Sequence, residues 1–485
     1  MPHKIELKTV KISPGAKIDC FTSACISIEV CNLEPEPLVL DGELTQLYFE
    51  VIDAASGTVL LKVDEQLRLS MLYLRNIQQR KPPIIINANA SRVLTFDLAK
   101  YYYPFKVGTY KIQPCFQHPD GELQRGKFSV LEVSSTKLIQ ARCWFENPIF
   151  GNQNLLTIAE SDANVKSANL RWLGTSHPLA SFYNMQLPEL SAKTSIIPAL
   201  PAFWDVEDFS PAFQRTLLIY EDSQLTILKI YRGKLVEKPK VFNLDQAGEL
   251  LGSAIRNEQG DIYFCTRSLR GSESVVCGYH VNTLGDVEFL FSRNLKGAQG
   301  PIAICGSHDA IHIYSAEPEL TRTSISYTGS DLGSLLLIKN KGKLIKLKVD
   351  LFQNRINAVF EDIDKPRILW FLQTDANNVQ KKPQIQALSF STEQYGKLVE
   401  IEFLIDLKQG LHVLRTGNNS NLDYIGPDKK TLRLCQNESR YFPCLLAGNK
   451  ENPLPFAGFA RRNEGYRFHR IGGLNQWKQF LNQVI

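Results

Sequence analysis

Side chains able to do chemistry are sparse in this sequence. Among eight histidines in 485 residues, His308 and His312 lie closest together, flanking a tight turn, with His280 and His412 the next on either side. An imidazole titrates near neutrality, so such a set could supply a general base or metal ligands. His312 falls among Ile311, Ile313 and Tyr314, a strand-like run. The expectation is a hydrogen-bonded interior histidine and no metal site. The sequence has no Gly-x-x-x-x-Gly-Lys-Ser/Thr loop, His-Glu-x-x-His, Gly-x-Ser-x-Gly or Cys-x-x-Cys pair. Familiar nucleotide, zinc and serine-hydrolase chemistry is therefore not expected, and neither a cofactor nor a catalytic residue is assigned. Two carboxylates placed for glycoside cleavage would be set by distance in space, which a linear motif does not encode.

Binding residues are easier to name. Arg267 and Arg270 sit in Thr266-Arg-Ser-Leu-Arg-Gly, Arg322 follows Glu317-Pro-Glu, Lys381 and Lys382 follow Asp375, and Arg440-Tyr441 follows Glu438. Each group falls in a connection after an aromatic or apolar strand. Together they predict a mixed, somewhat basic rim, and Arg and Tyr are frequent interface anchors. The last segment places Leu474, Trp477, Phe480, Leu481 and Val484 on one face at helical spacing, which predicts a docking helix over 473–485.

Composition narrows the classes. Hydrophobic residues make up 44% and charged residues 22%, the balance of a folded chain. The net charge of +5 is mild, with 15 basic and 15 acidic residues in 1–136 and 40 against 35 afterwards, so nucleic-acid binding is not expected. No window reaches the roughly 18 apolar residues of a membrane span, and the charged start does not resemble a secretory leader. A cytoplasmic protein without membrane insertion is expected, its ten cysteines reduced and mostly interior.

These residues must be carried by strands. From Ile5 to Val133 seven short stretches alternate in polarity: Ile5 to Ile12, Ala24 to Cys31, Leu47 to Asp53, Ile84 to Ile86, Val93 to Asp97, Tyr110 to Phe116 and Lys127 to Val133. That spacing predicts an Ig-like β-sandwich over 1–135. Thr95-Phe-Asp-Leu-Ala-Lys-Tyr-Tyr-Tyr-Pro-Phe-Lys-Val-Gly-Thr-Tyr-Lys-Ile resembles a segment of small β-sandwich accessory modules that precede bacterial and fungal metallopeptidases. The resemblance covers about 20 residues and implies a fold. No peptidase follows, so no accessory role comes with it.

Beyond residue 137 the sequence repeats. Arg232-Gly-Lys-Leu-Val, Leu284-Gly-Asp-Val-Glu, Lys341-Gly-Lys-Leu-Ile and Tyr395-Gly-Lys-Leu-Val place their glycines 52, 57 and 54 residues apart. Each unit reads as four strands, which is one propeller blade, so 137–472 is expected to form a β-propeller of six blades, or seven, closed by strands from both ends. The resemblance is to the β-propeller superfold, with no family signature. The whole is all-β with a short C-terminal helix. The functional expectation is a non-catalytic protein–protein interaction platform docking a protein partner through the rim. The alternatives are a propeller hydrolase or lyase acting on sugars or peptides, and sensing of a small ligand or glycan without turnover.

Overall fold

The computed structural model describes residues 5–470, leaving out 61–81, 99–104, 148–151, 161–165, 174–180, 202–214, 376–382, 447–455 and a number of shorter stretches. The C-terminal helix expected at Leu474, Trp477, Phe480, Leu481 and Val484 lies outside the described residues, as do Lys381, Lys382 and His308. The described chain is β-structure apart from a few isolated turns and one short helix, α1 (Thr392–Tyr395).

Ten strands come first: β1 (Ile5–Ser13), β2 (Lys17–Asp19), β3 (Cys25–Asn32), β4 (Leu38–Leu40), β5 (Leu47–Asp53), β6 (Ile84–Ile86), β7 (Ser91–Asp97), β8 (Gly108–Gln117), β9 (Leu123–Arg125) and β10 (Ser129–Ser134). They form a sheet β1-β3-β7, a second ordered β2-β10-β8-β5 with β9 on β8, and the pair β4-β6. β3 and β5 alternate between buried and half-buried positions, as strands with one face on a core must. Ile26, Ile28 and Val30 meet Phe49, Val51, Ile112 and Leu131 in one cluster.

Sheets of antiparallel strands follow in chain order. The first holds β11 (Lys137–Asn147), β12 (Asn152–Glu160), β13 (Lys166–Leu173) and β14 (Ser181–Gln186). Next come β15 (Ser195–Pro201), β16 (Arg215–Glu221) and β17 (Gln224–Tyr231), on which β18 (Lys234–Leu235) and β19 (Lys240–Asn243) pair. Strands β20 (Glu249–Leu250), β21 (Ala254–Arg256), β22 (Ile262–Arg270), β23 (Glu273–Val281) and β24 (Val287–Lys296) continue it, because β15 pairs with β21 in parallel. Then β25 (Ile302–Gly306), β26 (Ala310–Ala316), β27 (Leu320–Ser326) and β28 (Asp331–Ile338) make one four-stranded sheet. A second holds β29 (Lys343–Asp350), β30 (Arg355–Glu361), β31 (Ile368–Asp375) and β32 (Gln384–Ser389). A third holds β33 (Leu398–Ile405), β34 (Leu411–Gly417), β35 (Asn421–Ile425) and β36 (Thr431–Gln436), and β37 (Cys444–Leu446), β38 (Phe456–Arg461) and β39 (Gly465–Arg470) form the last.

The chain divides into two compact units. One comprises residues Met1–Leu190, Val399–Thr416 and Ser420–Ile485, the other Ser191–Leu398 and Gly417–Asn419. In the first, the N-terminal core takes in Leu155 of β12, Phe442, Cys444 and Tyr466. Gly465 has φ +73, and a Cβ there would press into the Cys20 carbonyl, so only glycine fits that approach. Strands β11 and β37 are neighbours, yet among the described residues no ladder joins β37–β39 to β11–β14. In the second unit β15 neighbours β21 within one sheet, β21 neighbours β25, and β25 neighbours β29, the last two being the first strands of their sheets.

The repeated glycines do not occupy equivalent places. Gly285, at φ +93, turns the hairpin from β23 to β24, whereas Gly342 and Gly396 precede the first strand of a new sheet. Gly396, at φ +68, also leaves room for Asn418 and Asn419. Two different connections share one short pattern. The strands that follow them differ in place too: Asn357-Ala-Val-Phe lies on the second strand of its sheet and Ile302-Ala-Ile-Cys on the first.

Candidate functional site

β25 ends at Gly306, and its antiparallel partner β26 begins at Ala310. The Ser307 amide donates to the Ala310 carbonyl at 2.9 Å and closes the turn. His312, two residues into β26, is 8% exposed. Cross-strand pairing puts it opposite Cys305 on one side and Ser324 of β27 on the other. Its Nε2 lies 3.1 Å from Ser307 Oγ and its Nδ1 2.9 Å from Ser324 Oγ. If Nδ1 carries the proton and donates to Ser324, Nε2 is free to accept from the Ser307 hydroxyl. The competing contact of that hydroxyl, to the Ala310 carbonyl, is longer at 3.4 Å.

The environment keeps this imidazole neutral. Burial pushes its pKa down to about 4, the nearby Arg322 guanidinium adds to the effect, and Asp309 opposes it. Burial also raises the Cys305 thiol to about 12 and the Tyr314 phenol further, while Cys305 lies 3.7 Å from the Tyr314 hydroxyl. Ser307 itself is half-buried.

Aromatic rings back the turn. Tyr327, after β27, donates its hydroxyl to the Ser307 carbonyl at 2.7 Å. Its ring centroid is 4.4 Å from that of Tyr263 on β22, and Tyr263 stacks on His280 of β23 at 4.8 Å and 16°. His280 in turn approaches Asp261 Oδ2 at 3.5 Å and Glu288 Oε2 at 3.4 Å. His280 and His312 are thus linked through Tyr263, Tyr327 and Ser307. His412 lies elsewhere, buried on β34 with its Nδ1 2.7 Å from the Tyr424 hydroxyl. Among the described residues no group of three or more His, Cys, Asp or Glu side chains is gathered for a metal ion.

The rim residues have varied fates. Arg267 lies within β22 and is tied down, one nitrogen donating to the Gly300 carbonyl at 2.9 Å and another to Glu249 at 3.0 Å. Arg270 ends the same strand. Arg322 is half-buried on β27, opposite Tyr314. Arg440 is exposed, 3.4 Å from Glu400 and 4.2 Å over the Phe442 ring. Tyr441 is corrected: it is fully buried, its hydroxyl donating to the Ser420 carbonyl at 2.8 Å and accepting from the Glu438 amide at 3.0 Å. Full burial and the bond to Ser420, 21 residues away, make it a core residue and remove it from any docking surface. From the sequence, His312 is expected to be a hydrogen-bonded interior histidine with no catalytic role, and Ser307, Ser324 and Tyr327 are not singled out. The available signal was a serine in the turn before a strand histidine and another in the strand that follows.

No family model and no curated protein matches the chain. Solved structures with a similar course include an uncharacterized protein, lmo1340, from Listeria monocytogenes EGD-e, at 11% identity and TM-score 0.38, covering 69% of this chain and 94% of that one. A mutant of Synechocystis apocarotenoid oxygenase aligns at 9% identity and TM-score 0.34, covering 74% and 94%. A mutant of AofleA from Arthrobotrys oligospora aligns at 9% and 0.32, covering 58% and 88%. The expected non-catalytic platform is corrected on this finding: the solved structures of similar course include an apocarotenoid oxygenase. At these scores the likeness carries no argument about which activity this chain has. Among the described residues no helix is long and apolar enough to cross a membrane.

Proposed function

We propose that the chain is a hydrolase of ester or amide bonds, with Ser307 as nucleophile and His312 as its base. The observation that carries this reading is the 3.1 Å approach of Ser307 Oγ to His312 Nε2, with the opposite ring nitrogen held by Ser324. A serine is a weak nucleophile unless an adjacent base takes its proton, and a base works best when a third group orients it. Here the orienting group is a hydroxyl where hydrolases of this type often use a carboxylate.

The steps follow from that geometry. The Ser307 oxygen bonds to the substrate carbonyl carbon as its proton passes to His312 Nε2. Collapse of the adduct expels the alcohol or amine, which takes that proton. Water then repeats the sequence, releasing the acid and restoring Ser307. An imidazole depressed to about 4 is wholly in the proton-accepting form at neutral pH, so the rate should stay flat down to about pH 5. A serine–imidazole pair suits acyl transfer better than glycoside cleavage, which uses two carboxylates.

The same proposal reads the sheets from β11 onward as propeller blades, seven if the sheet of β15–β24 is taken as two blades, preceded by an Ig-like sandwich. The succession of neighbours β15, β21, β25 and β29 supports it, since blades arranged round an axis meet through their inner strands. The test is labelling with a fluorophosphonate probe, followed by mass spectrometry. Modification of Ser307 in the native chain, abolished in His312→Gln, supports the reading. Absence of adduct at Ser307, or equal labelling of the variant, sinks it and leaves ligand binding without turnover.

A further inference from the structure

A nucleophile in a turn is only as useful as the turn is fixed, and Ser307 is pinned from both sides of its own backbone. Its amide donates to Ala310 at 2.9 Å, a bond local to the hairpin. Its carbonyl accepts from the Tyr327 hydroxyl at 2.7 Å, a bond spanning 20 residues of sequence. The Tyr327 ring is held in turn by a different strand set, through Tyr263 at 4.4 Å. Tyr263 is buried and lies flat on His280, which Asp261 and Glu288 flank.

We infer that Tyr327 is the positioning residue for Ser307, and that Tyr263 and His280, on β22 and β23, set the Tyr327 ring. This rests on Ser307 being the nucleophile. A hydrogen bond of 2.7 Å to a half-buried carbonyl fixes where the peptide plane, and so the side chain beyond it, can point. Edge and face contacts between rings have preferred offsets, so the Tyr263–His280 stack limits the positions open to Tyr327. The consequence is that reactivity at the turn between β25 and β26 depends on side chains of the preceding sheet that touch neither Ser307 nor His312.

The full chain is compared with three variants. Tyr327→Phe keeps the ring and deletes the bond; Tyr263→Phe keeps the stack; Tyr263→Ala removes it. Two quantities are read, the rate of fluorophosphonate labelling at Ser307 and the hydrogen-exchange rate of the 305–311 segment. Tyr327→Phe and Tyr263→Ala should each slow labelling and speed exchange by about tenfold, the effect of one lost hydrogen bond, and Tyr263→Phe should match the native chain in both. If Tyr327→Phe labels and exchanges as the native chain does, or Tyr263→Phe behaves like Tyr263→Ala, the inference is overturned. If the native chain does not label at all, the nucleophile reading fails, and the exchange rates still decide whether Tyr327 positions the turn.

Discussion

His312 should make the second unit acid-labile in an amount that the structure sets. In the unfolded chain its pKa is near 6.5, and in the folded chain burial and Arg322 depress it to about 4. The folded state therefore binds fewer protons than the unfolded state between those values, and stability present above pH 6.5 is lost as pH falls toward 4. Linkage gives a loss of about 2 kcal/mol at pH 5 and about 3 kcal/mol at pH 4 relative to neutrality, an order-of-magnitude figure for a side chain so little exposed. His312→Gln cannot charge and should lack this slope. The assay is hydrogen exchange across β26 and β27 at pH 7, 5 and 4, native chain against variant, so that the intrinsic pH dependence of exchange cancels in the ratio. Native protection should fall relative to the variant by about 10²-fold at pH 4, the equivalent of about 3 kcal/mol. Parallel loss of protection in the two chains would refute the burial argument and leave His312 an ordinarily solvated imidazole.

Two further outcomes test the packing. Tyr441→Phe deletes a hydroxyl that serves Ser420 and Glu438 at once in a fully buried position, and should cost about 2 kcal/mol in chemical denaturation. A rim residue would show a change near zero. Gly465→Ala sets a methyl group against the Cys20 carbonyl at a positive φ, and should destabilise the first unit by about 2–3 kcal/mol, read as a lower melting temperature.

Strand content was legible because one-sided burial writes itself as alternation. The run Leu47 to Asp53 coincides with β5, and Ile5 to Ile12 and Ala24 to Cys31 fall within a residue of β1 and β3. In the later sheets that signal disappears. Every residue of β34 is buried, from Leu411 to Gly417 and including His412, Arg415 and Thr416, and a strand covered on both faces carries no polar–apolar alternation to mark its phase. The Gly-Lys pattern then supplied a period without saying which strand began the sheet. The serine–histidine arrangement was hidden for another reason: Ser307, His312 and Ser324 are five and twelve residues apart and meet only through the register of β25, β26 and β27. Tyr441 looked like an interface anchor by type, and only its bonds to Ser420 and Glu438 reveal an interior side chain.

The first unit gathers segments from opposite ends of the chain, and its core joins Ile5 and Ile28 to Phe442 and Tyr466. On a ribosome, the N-terminal sheets emerge long before their last packing partners exist. Part of their apolar surface stays uncovered while roughly 330 further residues are made, at rates of about 5–20 residues per second. For that interval of tens of seconds the early strands expose the apolar surface that Phe442 and Tyr466 later cover. Any premature stop before residue 466 would release a polypeptide with its oldest core still open.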